Sequence, residues 1–211
     1  MNKWTFFNAF LLLALLATAS FGQGFRLPPS RVPALGSRLN QTQQNGRDIM
    51  DTSAYSLLEY RRMYLDGTSP TPSDLVGYWR GVNKGIVELV GYRQFIKEIL
   101  PQGPYLSGEN IQVGQVSPET ARQLGWQVKV DQQTGQPERS GKFAIQAPNA
   151  VGTFGKGAIF SYRDADNQRS DPARLLVDKV VKIDNNHMLG RVTARFGLVE
   201  IPLAYFVLER M

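Results

Sequence analysis

A tryptophan between two glycines lies at the centre of the stretch Asp74-Leu75-Val76-Gly77-Tyr78-Trp79-Arg80-Gly81. Glycine on either side lets neighbouring backbone approach closely or bend, and an indole is large enough to plug one end of a small barrel. The proline-rich lead-in Ser69-Pro70-Thr71-Pro72-Ser73-Asp74 predicts a short helical turn just before the strand. The stretch therefore predicts the first strand of a closed or nearly closed sheet, with Trp79 on its inner side.

Runs of β-branched and aromatic residues follow one another through the second half of the chain, separated by turn clusters such as Thr134-Gly135 and Asn185-Asn186. They predict strands over Trp126–Val130, Lys142–Gln146, Ala158–Arg163, Leu175–Asp184, Met188–Phe196 and Ile201–Glu209. Consecutive short strands with tight links pair antiparallel, and closure of such a sheet removes its exposed edges. The sequence thus predicts a mainly β protein: an antiparallel β-barrel with two or three flanking helices, in one domain over residues 47–211.

Helices are predicted over three other segments. Asp48–Asp66 has leucines near one side and Gly67 as a stop, so we expect a helix that packs outside the sheet or covers one mouth. Apolar residues repeat every three or four positions over Asn83–Leu100, which predicts a second helix, although a local alternation also fits a strand. Ser117–Leu124 opens with serine, proline and an acid, and predicts one or two helical turns.

Residues 1–46 carry targeting signals rather than fold signals. One lysine precedes an apolar run centred on Phe10 to Leu16, and Ala17-Thr18-Ala19 supplies the small residues that a signal peptidase accepts. We therefore expect a signal peptide over residues 1–19, with cleavage as late as 22, and an exported, soluble, periplasmic or secreted protein without a stable membrane span. An uncleaved anchor is the alternative. Residues 20–46 are rich in Pro, Gln, Asn, Arg and Ser and predict a disordered tail or linker.

Composition excludes several classes of site. The chain contains no cysteine, so disulfides, thiolate nucleophiles, cysteine-based zinc sites and acyl-cysteine anchors are excluded. The formal net charge of +6 comes from scattered residues, and Arg61-Arg62 is the one adjacent basic pair. A nucleic-acid surface concentrates its basic residues on one face or in one tract, so the charge indicates solubility rather than a nucleic-acid partner.

Three polar stretches were candidates for catalysis or metal binding, and each is better explained by a turn. His187, the only histidine, closes the turn Asp184-Asn185-Asn186-His187 and has no evident partners for a triad or a zinc site. Asp164-Ala165-Asp166-Asn167 lacks the glycine and glutamate of a calcium loop. Gly152-Thr153-Phe154-Gly155-Lys156-Gly157 precedes a strand rather than a phosphate-binding helix. The sequence therefore predicts no catalytic residue, metal or cofactor.

The motif Gly77-Tyr78-Trp79-Arg80-Gly81 matches the pattern that names the GXWXG family, whose continuation resembles Gly85, Glu88, Gly91, Tyr92 and Phe95. The stretches Asp178–Asp184, Leu189-Gly190 and Tyr205–Arg210 are similar to the domain of unknown function that accompanies that family. A looser resemblance is to lipocalins, whose first strand carries a Gly-x-Trp after a short helical turn. The lipocalin resemblance implies a barrel with a cavity for an apolar small molecule, whereas the first family implies no known reaction.

Aromatic residues of the predicted strands are the candidate ligand-binding residues: Trp79, Tyr78, Phe160, Tyr162, Phe196, Tyr205 and Phe206. Trp79 also fits a purely structural role in the core. Together with the missing catalytic groups, these residues favour an exported, non-enzymatic, lipocalin-like binding protein for a lipid-like or other apolar small molecule. The alternatives are a structural or interaction module of the cell envelope with a filled barrel, and a carboxylate-based hydrolase that uses two of Asp164, Asp166, Asp171, Asp178 and Glu200.

Overall fold

A computed structural model describes residues 47–89, 92–115, 120, 125–146, 156–197 and 199–211. The strands are β1 (Gly77–Gly85), β2 (Gln94–Gln102), β3 (Tyr105–Gln112), β4 (Arg139–Gln146), β5 (Ala158–Ser161), β6 (Leu176–Lys182), β7 (His187–Phe196) and β8 (Val199–Arg210). Each pairs antiparallel with its neighbour in sequence, and β1 pairs with β8 to close the barrel. The predicted antiparallel barrel is confirmed, and this up-and-down order of eight strands is that of lipocalins. The predicted signal peptide and tail lie outside the described residues.

The helices of the described residues are α1 (Leu57–Asp66), α2 (Pro72–Leu75) and α3 (Ile86–Leu89), with 3-10 helices at Thr52–Ala54 and Pro172–Leu175. The single helix predicted over Asp48–Asp66 is in fact a 3-10 turn followed by α1, because Ser56 begins a new helix. Its hydroxyl accepts a hydrogen bond from the Glu59 amide, and the Glu59 carboxylate accepts one from the Ser56 amide. The predicted turn before β1 is confirmed as α2, whereas Ser117–Leu124 lies outside the described residues apart from Thr120.

Helix α1 packs against the outside of the barrel, which confirms one of its two predicted positions. Tyr60, Met63 and Tyr64 are its buried residues. They form a cluster with outward-facing strand residues: Val82, Val181, Leu189 and Val207. The leucines of α1 are exposed instead, so the face that buries the helix is aromatic and not the leucine side.

Residues 83–100 do not form the predicted helix. β1 continues to Gly85, α3 takes four residues, and β2 begins at Gln94. Both faces of β2 are buried: Phe95 and Ile99 point into the barrel, whereas Ile96 packs outside against Ile111, Val113 and Trp126. Burial on both faces gives an apolar run without strand alternation, and that run imitates a helical stripe.

Two further differences concern strands. The strand predicted over Trp126–Val130 is wrong, because Val128 and Val130 form only isolated bridges to Val113 and Pro137. Strand β3 was not predicted, because its middle residues have low strand propensity: Ser107, Gly108, Glu109 and Asn110.

Trp79 closes one end of the barrel interior, which we call the lumen. The indole is fully buried, and its Nε1 donates a hydrogen bond to the Leu75 carbonyl of α2 at 2.7 Å. The guanidinium of Arg210, on the last strand, stacks over the indole at 4.3 Å and donates to the carbonyls of Val76 and Asp74. The prediction that Trp79 lies on the inner side of a closed sheet is confirmed, and the C-terminal strand β8 completes the closure. We call this the Trp79 end.

Candidate functional site

The aromatic rings of inward-facing phenylalanines each lie over a glycine on the adjacent strand. The three directly paired sets are Gly81 with Phe95, Gly108 with Phe143 and Gly190 with Phe206. A Cβ atom added to Gly190 would lie 2.0 Å from the Phe206 ring, so this ring occupies the space that a side chain would take. Cross-strand pairing of an aromatic ring with a glycine compensates for the packing that glycine lacks. The middle of the lumen is thus filled by rings.

A buried ammonium group lies among these rings. The Lys97 side chain is 2% exposed. Its Nζ donates hydrogen bonds to Asn110 Oδ1 at 2.9 Å and to the Tyr162 hydroxyl at 2.8 Å, and lies 3.2 Å from Asp178 Oδ2. The Tyr162 hydroxyl in turn donates to Asp178 Oδ2 at 2.9 Å. We call Lys97, Asn110, Tyr162 and Asp178 the lumen cluster.

Five aromatic centroids surround the Lys97 ammonium at 4.5 to 5.7 Å: Phe95, Phe143, Phe160, Tyr162 and Phe206. The faces of aromatic rings carry partial negative charge, so a cation without water is attracted to them. The ion pair with Asp178 and the hydrogen bonds to Asn110 and Tyr162 offset a further part of the lost hydration. The ammonium is therefore held by ring faces as well as by oxygen atoms.

The lumen cluster connects opposite walls of the barrel. Lys97 is on β2 and Asp178 on β6, and these strands are four steps apart in either direction around the eight strands. Burial lowers the pKa of Lys97, an effect that the charge of Asp178 opposes. Burial likewise raises the pKa of Asp178, and that of Tyr162 well above its ordinary value. Burial therefore disfavours the charged forms of Lys97 and Asp178, and their attraction for each other favours those forms.

The structure brings together four of the seven candidate ligand-binding aromatics in the lumen: Trp79, Phe160, Tyr162 and Phe206. Tyr78 is instead on the outer surface, 47% exposed, with its hydroxyl donating to Glu98. Tyr205 packs outside against the tyrosines of α1. Phe196 ends β7 and is 36% exposed. Tyr78 and Tyr205 face outward because each is next to an inward-facing residue on its strand. Phe196 is on the same face as Ala194 but lies at the exposed end of β7.

A pocket of about 300 Å³ opens at the Trp79 end, which we call the end pocket. Leu75 of α2 forms one side, Pro101 and Leu106 come from β2 and β3, and Ile145 comes from β4. Gln146 is the one polar residue of the lining, which otherwise consists of prolines, Gly103, Tyr105 and the aliphatic residues just named. A smaller pocket of about 60 Å³ lies at the opposite mouth, beside Phe95 and Asn110. The two pockets therefore lie at opposite ends of a filled lumen.

The remaining polar candidates are dispersed. His187 begins β7 directly after the β6–β7 turn, with Nδ1 at 3.0 Å from Asp184. Asp171 caps the second 3-10 helix. Asp178 faces the lumen, whereas Glu200 pairs with Lys179 and Arg195 on the outer side. Within the described part of the chain, no three His, Asp or Glu side chains are grouped as metal ligands, and no helix is long and apolar enough to cross a bilayer.

Sequence reasoning missed Lys97 and Asn110, and it named Asp178 only as one carboxylate among several. The available signal was the position of Lys97, an isolated charge in the apolar run Phe95-Ile96-Lys97-Glu98-Ile99. With the helix prediction removed, that run puts Lys97 on the same face as Phe95 and Ile99, which point into the barrel.

The fold and the lumen define a lipocalin-like β-barrel protein with a packed interior. No family model matches the chain, and no curated protein matches it. A crystal structure of a protein from Thermomonospora curvata is similar, with 15% sequence identity and a TM-score of 0.39 over 84% of this chain and 98% of that chain.

Proposed function

We propose that this protein is an exported, non-enzymatic binding protein that takes an apolar small molecule into the end pocket. The observation that carries this proposal is the pocket itself, because about 300 Å³ is at the lower limit of small-molecule sites and the lining is mainly apolar. Kinship with the GXWXG family and its companion domain, indicated by Gly77, Trp79 and Gly81, is part of the same proposal.

The packing of the lumen supports an end site rather than a central one. The rings of Phe143 and Phe160 stack with centroids 5.0 Å apart and an angle of 4° between their planes. Trp79 and Phe206 are also buried, so a ligand at the centre would have to displace several rings at once. A rigid packed floor below an open apolar pocket is a suitable arrangement for a ligand that enters from the Trp79 end.

Filling the end pocket tests this proposal. In Leu106→Trp the indole would occupy the space of the ligand, and losing about 55 Å² of apolar contact weakens binding about tenfold. The measurement is a fluorescence titration with N-phenyl-1-naphthylamine, a neutral apolar probe. The matched control is Leu100→Trp, because Leu100 is exposed on the outer face of β2. Equal affinity in the two variants, or no saturable binding to the wild-type protein, would contradict the proposal.

The filled lumen favours a second candidate, a structural or interaction module of the cell envelope. In that case the barrel is a rigid body and a partner protein binds its surface or the segment over residues 20–46. A module of this kind shows no saturable naphthylamine binding. Deleting residues 23–46 should then remove a stoichiometric partner from pull-downs with envelope extracts. Retention of every partner after the deletion would count against this second candidate.

A further inference from the structure

The solvent side of α1 is occupied by leucine and arginine. Leu57, Leu58 and Leu65 are 48%, 53% and 60% exposed, and Arg61 and Arg62 between them are also exposed. At about 100° per residue, these five side chains cover one sector of about 140°. We call this sector the outer face of α1. Exposed leucines usually occur singly, so three on one short helix indicate a contact surface.

The acids of α1 lie beside this sector and not within it. Glu59 and Asp66 project from the flank next to Arg62, and the Glu59 carboxylate is turned back onto Ser56. The outer face therefore presents two positive charges and no negative one.

Helix α1 is held firmly enough to present this face. Tyr60, Met63 and Tyr64 bury its other side against the barrel. The Tyr64 hydroxyl donates to the Lys156 carbonyl at 3.2 Å, and Lys156 Nζ donates to the Leu65 carbonyl at 2.9 Å. Because the inner side is fixed to the barrel wall, the leucines cannot turn inward to escape water.

The sequence over residues 20–47 is also positively charged, and Asp48 and Asp51 lie between it and α1. Residues 20–47 carry Arg26, Arg31, Arg38 and Arg47 and contain no aspartate or glutamate. The charge of this segment has the same sign as that of the outer face. A symmetric dimer through the same face would likewise bring Arg61 and Arg62 of one copy against those of the other. The charge therefore points to an anionic partner.

We propose that the outer face of α1 docks this protein onto the surface of an anionic phospholipid bilayer. The leucines enter the boundary between headgroups and acyl chains, and the arginines contact lipid phosphates, as in interfacial amphipathic helices. This inference concerns a different surface from the end pocket and does not depend on ligand binding there.

Co-sedimentation of the mature protein with vesicles tests the proposal, using phosphatidylcholine alone and phosphatidylcholine mixed with phosphatidylglycerol. The wild-type protein should bind the mixed vesicles at low salt and not the neutral ones. R61Q/R62Q should weaken binding about 30-fold, since each arginine near the surface contributes about 1 kcal/mol, or about a fivefold factor. L58E/L65E should weaken it at least as much. Matched controls are K129Q/K142Q for charge and V130E/V199E for exposed apolar residues, and both should bind as wild type.

Circular dichroism should show that all four variants keep the wild-type fold. The proposal is overturned if the wild-type protein does not bind anionic vesicles, or if the α1 variants bind as well as their controls. It is also overturned if only deletion of residues 23–46 abolishes binding, because the site would then be the segment. A concentration-dependent dimer that L58E/L65E dissociates, without vesicle binding, would assign the face to a second copy instead.

Discussion

Removing the charge of Lys97 should destabilise the protein severely, while replacing the whole lumen cluster by apolar groups should not. Lys97→Met keeps most of the side-chain volume but leaves Asp178 buried without its cation, and breaking a buried ion pair from one side costs about 3–5 kcal/mol. Asp178→Val leaves the ammonium uncompensated and should cost a similar amount. Tyr162→Phe removes one hydroxyl and should cost about 1 kcal/mol.

If the three substitutions acted independently, their costs would add, and the triple variant K97M/Y162F/D178V would be about 7–11 kcal/mol less stable than wild type. A loss of this size would unfold a typical domain. If the substitutions are coupled, we expect a much smaller loss, because replacing both members of a buried ion pair by apolar groups is often neutral or stabilising. The one group left without a partner is Asn110 Oδ1, which loses the Lys97 donor. The triple variant should therefore lose only about 1–3 kcal/mol.

Urea unfolding followed by circular dichroism gives the free energy of unfolding of each variant, with the slope of the transition as a check on two-state behaviour. Lys129→Met, on the exposed surface, is the control and should change stability by less than about 0.5 kcal/mol. A triple variant as unstable as the sum of the single variants would refute the coupling. Single variants within about 1 kcal/mol of wild type would show that the pair is hydrated and not buried.

Two other predictions concern the lumen wall and its closure. Gly190→Ala places a methyl group against the Phe206 ring, so the free energy of unfolding in urea should fall by about 1–3 kcal/mol. Gly114→Ala is the control and should be neutral, because the nearest atom to its added methyl group is 3.9 Å away. Asp74 has its pKa lowered to about 2 by the hydrogen bond from Lys182 and by capping of α2. The ionised carboxylate of Asp74 therefore stabilises the fold above pH 3.8, and this stabilisation is lost as the pH falls through 2. In Asp74→Asn the midpoint of urea unfolding should no longer show this part of its acid dependence.

The strands that the sequence predicts well are those along which polar and apolar residues alternate. In β7 the alternation of Arg191, Val192, Thr193 and Ala194 marks both the strand and its faces. Strand β2 lacks this alternation because its outer face is covered as well, and the result was a wrong helix. Burial by a distant segment cannot be seen in a local window of sequence.

Strand β3 was not predicted because residues that the lumen requires have low strand propensity. Gly108 weakens strand propensity, yet its missing side chain is what lets the Phe143 ring lie against the wall. Asn110 is also a poor strand former, yet it accepts a hydrogen bond from Lys97. Gly108 and Asn110 thus serve the packing of the lumen and at the same time weaken the sequence signal for the strand.

The lumen cluster was equally hidden, since its members come from four separate stretches of the chain. Tyr162 is 65 positions from Lys97, and only closure of the barrel brings the two together. Aromatic residues were recognisable as candidates, but their facing depends on register, and a single position separates inward Phe206 from outward Tyr205.

The cost of the buried pair indicates what the lumen cluster contributes. Apolar side chains alone could fill an eight-stranded barrel, and they would do so without desolvating two charges. Such a filling can repack, whereas the Lys97 ammonium has one set of oxygen partners and holds β2 and β6 at a fixed separation. Trp79 pairs directly with Lys97 across β1 and β2, so the same connection fixes the floor below the end pocket. We infer that the cluster lowers stability in exchange for a single lumen packing.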